Sequence, residues 1–220
     1  ELAQKEGIDS RHLGIDRDLP TGRALIGVGT DSENLIMVVP GANFSLTPAH
    51  VQSAEAAIAE SDVLLVQQEV PPDAVEEALK LARRHLVITL LNPAPTRPLS
   101  RSLVEGCDVV LPNEHEAGAL PAGHHAPCVV ITEGSRGCTV QRPGHDPYRI
   151  APYRVDTVDS VAAGDAFCGA LAAQLAAGVE LDTALDRASA AGALATTRRG
   201  AVNSLPSALE IMNLVERGRG

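Results

Sequence analysis

Apolar residues along the 220-residue chain fall into short blocks whose period switches repeatedly. Ala24–Val28 and Leu35–Val39 are two strand-length runs joined by the polar stretch Gly29–Asn34, which reads as a hairpin. Pro40-Gly41-Ala42-Asn43 then makes a corner, and Thr47-Pro48 supplies an N-cap and first-turn proline for a helix through Glu60. From there the pattern predicts strand 62–67, helix 73–84, strand 86–91, a short helix at 100–105, strand 107–111 and strand 128–132. Short apolar strands alternating with helices imply a parallel sheet with right-handed crossovers. Beyond it, 137–141 and 148–155 read as a second antiparallel pair, followed by helices over 165–177, 181–197 and 206–217. The expected fold is a three-layer α/β/α domain with a central, mainly parallel sheet. Ligands of such sheets bind outside the carboxyl ends of the strands.

Composition narrows the chemistry. Apolar residues make up 45 % of the chain but aromatics only 2 %, so the core must be aliphatic. A net charge of −10 and the scarcity of stacking rings disfavour nucleic acid as a partner. The apolar runs are strand-length and fall short of the ~18 residues of a membrane span. Cys107, Cys128, Cys138 and Cys168 stand singly, with no Cys-x-x-Cys pair, and read as reduced core residues of a cytoplasmic protein. His124 and His125 sit between Gly and Pro residues and read as a solvated loop.

The most informative segment is Val158-Asp-Ser-Val-Ala-Ala-Gly-Asp-Ala-Phe-Cys-Gly-Ala-Leu171. Ala162, Ala163 and Gly164 stand where an extended segment enters a helix. Small side chains there let a ligand approach the free N–H groups of the first turn, which makes an anion hole. Asp165 lies in the same turn. It fits a general base that takes a proton from an attacking hydroxyl, and equally an ordinary helix cap.

This spacing, Asp159 followed by Ala162, Ala163, Gly164 and Asp165, closely resembles the C-terminal signature of the PfkB (ribokinase-like) sugar-kinase family. Further blocks stand in the family's order: Thr21-Gly22, Pro40-Gly41-Ala42-Asn43, Asn92-Pro93-Ala94-Pro95, Pro112-Asn113-Glu114-His115-Glu116, and Thr197-Arg-Arg-Gly-Ala201 with Ser204. The Asn-Pro-Ala-Pro and Pro-Gly-Ala-Asn blocks favour the ribose branch over the fructose, adenosine or pyridoxal branches.

What the resemblance implies is ATP-dependent phosphorylation of D-ribose at O5. Asp165 would be the base, and the backbone of Ala162, Ala163 and Gly164 would hold the transferring phosphate. Asn113 and Glu116 would serve the Mg²⁺ and phosphate region, Glu116 through water on the metal, although Asn-x-x-Glu is also a common helix start. Glu69 and Asn43 would contact the sugar; alone, Glu69 reads as a solvated loop carboxylate. Thr132, Gly134, Ser135 and Gly137 would form the nucleotide loop, which by itself reads as a hairpin turn, and Ser189 stands where family members place Asn or His near adenine. Asp159, the backbone at Val161, Ala195, Arg198 and Gly200, and Ser204 would form a K⁺ site.

Two features depart from the family pattern. Family chains begin upstream of Glu1 with an Asn-x-Asp sugar clamp, a Gly-Gly-Lys block and most of a β lid, so the resemblance implies an N-terminally truncated domain over 1–220, with 21–41 as partial lid strands. The lid would have unpaired edges, through which a homodimer could form. Only Ala117–Pro127 separates Glu116 from the next strand, where a crossover helix is expected. The alternatives are a nucleotide-binding or regulatory fragment with little turnover, and a kinase for another small sugar or nucleoside such as fructose or adenosine.

Overall fold

The computed structural model describes residues 2–28 and 34–219. After the short helix α1 (Leu2–Lys5), strands β1 (Arg23–Val28) and β2 (Asn34–Val39) pair antiparallel as a separate two-stranded sheet, Arg23 opposite Val39. Residues 29–33 of the expected turn lie outside the described residues. The helix expected over 48–60 is two pieces, α2 (Pro48–Ser53) and α3 (Glu55–Ala59). Thr47 caps α2 in a reciprocal box with His50. The break at Ala54 follows Ser53, whose hydroxyl donates to the His50 carbonyl at 2.6 Å and competes with the helix ladder.

The remaining elements are β3 (Val63–Val66), α4 (Pro72–Arg84), β4 (Ile88–Leu91), α5 (Arg101–Glu105), β5 (Val109–Val110), α6 (Glu114–Ala117), β6 (Val129–Thr132), β7 (Cys138–Gln141), β8 (Tyr148–Ile150), α7 (Ala163–Ala176), α8 (Leu181–Ala195) and α9 (Ala208–Arg217). One six-stranded sheet runs β3-β4-β5-β6-β7-β8, parallel through β6 and antiparallel beyond. The expected second antiparallel pair is thus the end of the main sheet. Its last strand stops at Ile150 because Pro152 has no N–H to offer the ladder. β5 is shorter than the expected 107–111, since the Asp108 carboxylate takes the Thr89 N–H at 2.8 Å and replaces a rung. The shortened connection after Glu116 still joins parallel neighbours, Val110 opposite Val129, with only the four-residue α6 in between.

Successive strand residues explain the three layers, because neighbours point to opposite faces. Leu90, Val109 and Val130 pack with Phe167, Leu171, Leu185 and Ala188 of α7 and α8. Leu91, Val110 and Val129 pack with Val75 and Leu79 of α4 and with Leu103 and Val104 of α5. Strands covered on both faces have no polar face, which is why they read as continuous apolar runs. All four cysteines are buried and free. Among the described residues no helix is long and apolar enough to cross a membrane.

Candidate functional site

The carboxyl ends of β3 to β6 and the start of α7 carry most of the residues singled out from the sequence, while Asn43 lies in the turn after β2 and Ser189, Ala195, Arg198, Gly200 and Ser204 lie in α8 or after it. After β3 the chain enters Gln67-Gln68-Glu69, and after β4 it enters Asn92-Pro-Ala-Pro95. The two segments are tied: Asn92 N–H donates to Val66 O at 2.9 Å and Gln68 N–H to Ala94 O at 2.8 Å. The buried Gln68 side chain adds a bond to Pro93 O at 3.0 Å, leaving Glu69 exposed on a braced loop. Asn43 is exposed in a 3₁₀ turn, Gly41–Ser45. That turn is held to Thr21-Gly22 by the Ala42 N–H to Pro20 O bond at 2.8 Å. Gly22 is required there, since a Cβ on it would come within 2.7 Å of Pro40 O and 3.1 Å of Asn43 Nδ2. The two sequence blocks 21–22 and 40–43 are therefore one structural unit.

Beyond β5, Asn113 and Glu116 form a reciprocal capping box on α6. Asn113 Oδ1 accepts the Glu116 N–H at 2.9 Å and Glu116 Oε2 accepts the Asn113 N–H at 2.8 Å. Glu116 is 7 % exposed. The capping alternative is realised, and it uses one of the two carboxylate oxygens. An Asn113–Thr132 bridge and the Glu114–Arg136 ion pair bind α6 to the loop after β6.

That loop, Glu133–Gly137, turns back into β7 with Gly134 at φ +56 and Gly137 at φ +88, left-handed conformations that glycine adopts freely. Gly137 also packs its α-carbon against the Ile150 carbonyl, leaving no room for a side chain. Glu133 is held by Arg149 and by the Thr139 hydroxyl.

Ala162 caps α7 with φ 62, the left-handed region, which an alanine occupies only at a cost of about 1 to 2 kcal/mol. The Ala163 N–H turns back to the Ser160 carbonyl at 3.3 Å and the helix ladder starts with the Ala166 N–H on the Ala162 carbonyl, which leaves the N–H groups of Gly164 and Asp165 for the helix end. Asp165 is exposed in the first turn. The Cys168 thiol, one turn on, is pushed up to about 12, first by burial and then by the charges of Asp165 and Glu116. Both carboxylates therefore act on the same buried group.

One cavity of about 600 Å³ collects Thr132, Gly134, Ser135 and Gly137, the residues expected to form a nucleotide loop, together with Ala163, Gly164 and Ser189. Residues not anticipated from the sequence also line it: Tyr153 and Thr157 from the segment before α7, and Gly192 and Ala193 from α8 with its C-cap Thr196. The signal for the α8 contribution was a small and polar stripe, Ser189, Gly192, Ala193 and Thr196, at helical spacing within an alanine-rich segment. Asp165, Asn113, Glu116, Glu69 and Asn43 do not line this cavity.

The expected cation-site residues are only partly drawn together. Asp159 accepts the Val161 N–H on Oδ1 and the Gly200 N–H on Oδ2, each at 3.0 Å. These two backbone donors, Gly200 first, hold its carboxyl below the usual value. Ser204 is buried and donates to the Ala201 carbonyl at 2.7 Å, Ala195 is buried in α8, and the Arg198 side chain pairs with Glu210. Among the described residues no cluster of three or more His, Cys, Asp or Glu could hold a metal ion. His124 and His125 lie in a loop, as expected.

Comparison with known proteins gives the same picture. The family model described as pfkB family carbohydrate kinase matches residues 1–208. The ribokinase of Schizosaccharomyces pombe is 33% identical over 228 residues, covering 94% of this chain and 72% of the relative. The ribokinase of Haemophilus influenzae is 35% identical, covering 96% of this chain and 74% of its own. The crystal structure of ribokinase from Thermotoga maritima superposes with a TM-score of 0.83 at 29% identity, covering 97% of this chain and 74% of that one. The chain belongs to the pfkB family of carbohydrate kinases.

Proposed function

We propose that this protein transfers the γ-phosphoryl group of ATP to O5 of D-ribose, giving ribose 5-phosphate and ADP. The observation that carries the reading is the start of α7. A left-handed Ala162 opens a helix end whose Ala163 and Gly164 line the cavity of the glycine loop, with Asp165 in the same turn. Phosphoryl transfer needs positioning and charge neutralisation more than covalent help. The N–H groups after Ala162 receive the developing charge on the phosphoryl oxygens. Asp165 takes the proton of the sugar hydroxyl as that oxygen bonds to the γ-phosphorus and the bond to the β-bridging oxygen breaks. Glu69 and Asn43, each exposed on a braced turn, hold the sugar.

Thr132, Gly134, Ser135, Gly137 and Ser189 hold the nucleotide; the shared cavity supports this, and its volume suits a nucleoside. Asn113 and Glu116 serve Mg²⁺; the Glu116 carboxylate keeps one oxygen outside its capping box, and hard oxygen donors suit that ion. Bound with ATP, Mg²⁺ supplies neutralisation of the triphosphate charge. The K⁺ site comprises Asp159, Ser204 and the carbonyls of Val161, Ala195, Arg198 and Gly200. Asp159 and Gly200 already join its two loops.

The chain reads as one domain over 1–220, with 21–41 as part of a lid. Leu25, Met37 and Val38 are exposed on the hairpin, which supports a homodimer through this lid. Four buried thiols fit a reducing, cytoplasmic compartment.

The test is ADP release with ribose, Mg²⁺ and K⁺, on this chain and on Asp165→Asn. Ribose-dependent turnover that the substitution abolishes is the expected result. Nucleotide binding without ribose-dependent turnover would overturn the reading.

A further inference from the structure

Between β8 and α7 the chain runs from Ala151 to Ala162 as neither helix nor strand. Even so, Pro152, Tyr153, Arg154, Val155 and Thr157 of this segment line the cavity of the glycine loop. A wall without a ladder keeps its shape only if other groups tie it down. At its α7 end the Thr196 carbonyl accepts the N–H groups of Val158 at 2.7 Å and Asp159 at 3.0 Å. The ties at its β8 end come from residues that have no part in the chemistry proposed above.

Tyr153 is 6 % exposed, and its hydroxyl donates to the carboxylate of Asp186 on α8, at 2.9 Å to Oδ1 and 3.1 Å to Oδ2. Arg219, two residues past α9, closes on the same tyrosine from three sides. Its Nε donates to the Ala151 carbonyl at 3.0 Å, its guanidinium carbon lies 5.1 Å from the centre of the Tyr153 ring, and its Nη2 pairs with Asp186. An exposed side chain that needed only a counter-ion would reach the carboxylate and nothing else. Contact with the backbone before Tyr153, with its ring and with the acceptor of its hydroxyl fixes where the ring stands. A planar guanidinium suits this place because it offers a fork of donors and a flat face together.

We propose that Arg219 is a positioning residue of the nucleotide cavity: through Asp186 and the Ala151 carbonyl it holds Tyr153 and the wall 152–157, so that its removal weakens ATP binding without slowing transfer. The inference rests on the kinase reading of the cavity. Arg219 does not itself line the cavity, so its effect reaches the nucleotide through the shape of the wall. A wall held in place before binding leaves less ordering for the ligand to offset than one that takes its shape on arrival.

The calorimetric affinity for ATP, the KM for ATP and kcat with ribose are measured on the chain, on Arg219→Ala, on Tyr153→Phe and on the two substitutions combined. Arg219 is exposed beyond α9 and Tyr153→Phe keeps the ring, so both variants should fold. The expected result for Arg219→Ala is a rise of about three- to tenfold in Kd and KM for ATP, with kcat held within about twofold. The combined variant should bind ATP within about twofold of the weaker single one, because both substitutions act on one unit. A lower melting temperature with unchanged ATP affinity in Arg219→Ala would make the residue a staple of the fold and overturn the inference, as would a fall in kcat at constant KM or additive losses in the combined variant. Coupled losses of ATP affinity without any ribose-dependent turnover would sink the kinase reading and leave this inference standing. Ribose-dependent turnover with ATP affinity untouched by Arg219→Ala would do the reverse.

Discussion

The Gly200 N–H donates to Asp159 Oδ2 at 3.0 Å, a bond between residues forty-one positions apart. With the Val161 N–H on Oδ1 it makes one carboxylate the clasp between the loop that leads into α7 and the loop that follows α8. The proposed anion hole begins one residue after Val161, so the clasp lies directly beside it.

Replacing this clasp should act on turnover through position. Asp159→Ala is expected to lower kcat at least tenfold and to remove any advantage of K⁺ over Na⁺, with Glu69 and the nucleotide loop untouched. Steady-state rates in matched K⁺ and Na⁺ buffers measure both effects. A variant with unchanged kcat and unchanged salt preference would refute the clasp's role.

Asp165→Asn removes the proposed base and keeps its size. General base catalysis is worth about 10² to 10⁴ in rate, so kcat should fall by that factor while ATP affinity stays within about threefold. Turnover assays paired with calorimetric titration of ATP separate the two quantities.

The left-handed Ala162 makes a stability prediction with two signs. Glycine adopts φ 62 without the alanine penalty but brings a more flexible unfolded chain, so Ala162→Gly should change stability by about +0.5 to +1 kcal/mol. Ala162→Val places a β-branched residue in the same region and should cost about 2 kcal/mol. Urea denaturation reads both, and equal stabilities for the two variants would contradict the backbone argument.

Acid should loosen the same region. Two groups of this region have folded values below their ordinary ones: Asp159, lowered from 3.8 chiefly by the Gly200 and Val161 N–H groups, and Glu210, lowered from 4.5 to about 2 by Ser207 and Arg198. A depressed carboxylate stabilises the fold above its unfolded value and loses that contribution as pH falls through the folded one. Melting temperature is therefore expected to be insensitive to these groups above pH 4.5 and to drop between there and about 2. Asp159→Asn should flatten part of that drop.

The thiols should be silent. Burial raises Cys107 and Cys168 to about 12 and Cys138 to about 11, and raises Cys128 as well. Iodoacetamide at neutral pH should label none of the four in the native protein and all four in urea, read by intact mass.

Local chemistry in the sequence determined most of the elements. Thr47-Pro48 placed the start of α2, the Val and Leu blocks placed β3, β4 and β6, and the small residues before Asp165 marked the start of α7. Each of these depends on neighbours within one turn or one strand, so it is written in contiguous residues. Of the boundaries that differed, that of β5 was set by a distant partner, Asp108 taking a rung from Thr89, whereas β8 was ended by a local residue, Pro152, at the edge of the main sheet.

The site divides in the same way. Ala162 to Asp165, Asn113-x-x-Glu116 and the glycine loop were legible as candidates because each is a compact motif of contiguous residues. Tertiary packing alone decided that Gly22 packs against Pro40 and Asn43 and that Gly192, Ala193 and Thr196 line the cavity of the glycine loop, whereas the family resemblance had already grouped Asp159 with Gly200 and Ser189 with that loop. The cavity contacts join residues far apart in the chain and rest on the close approach of α7, α8 and the sheet. The small side chains Ala163, Gly192 and Ala193 make that approach feasible, and no window of sequence contains all of its participants.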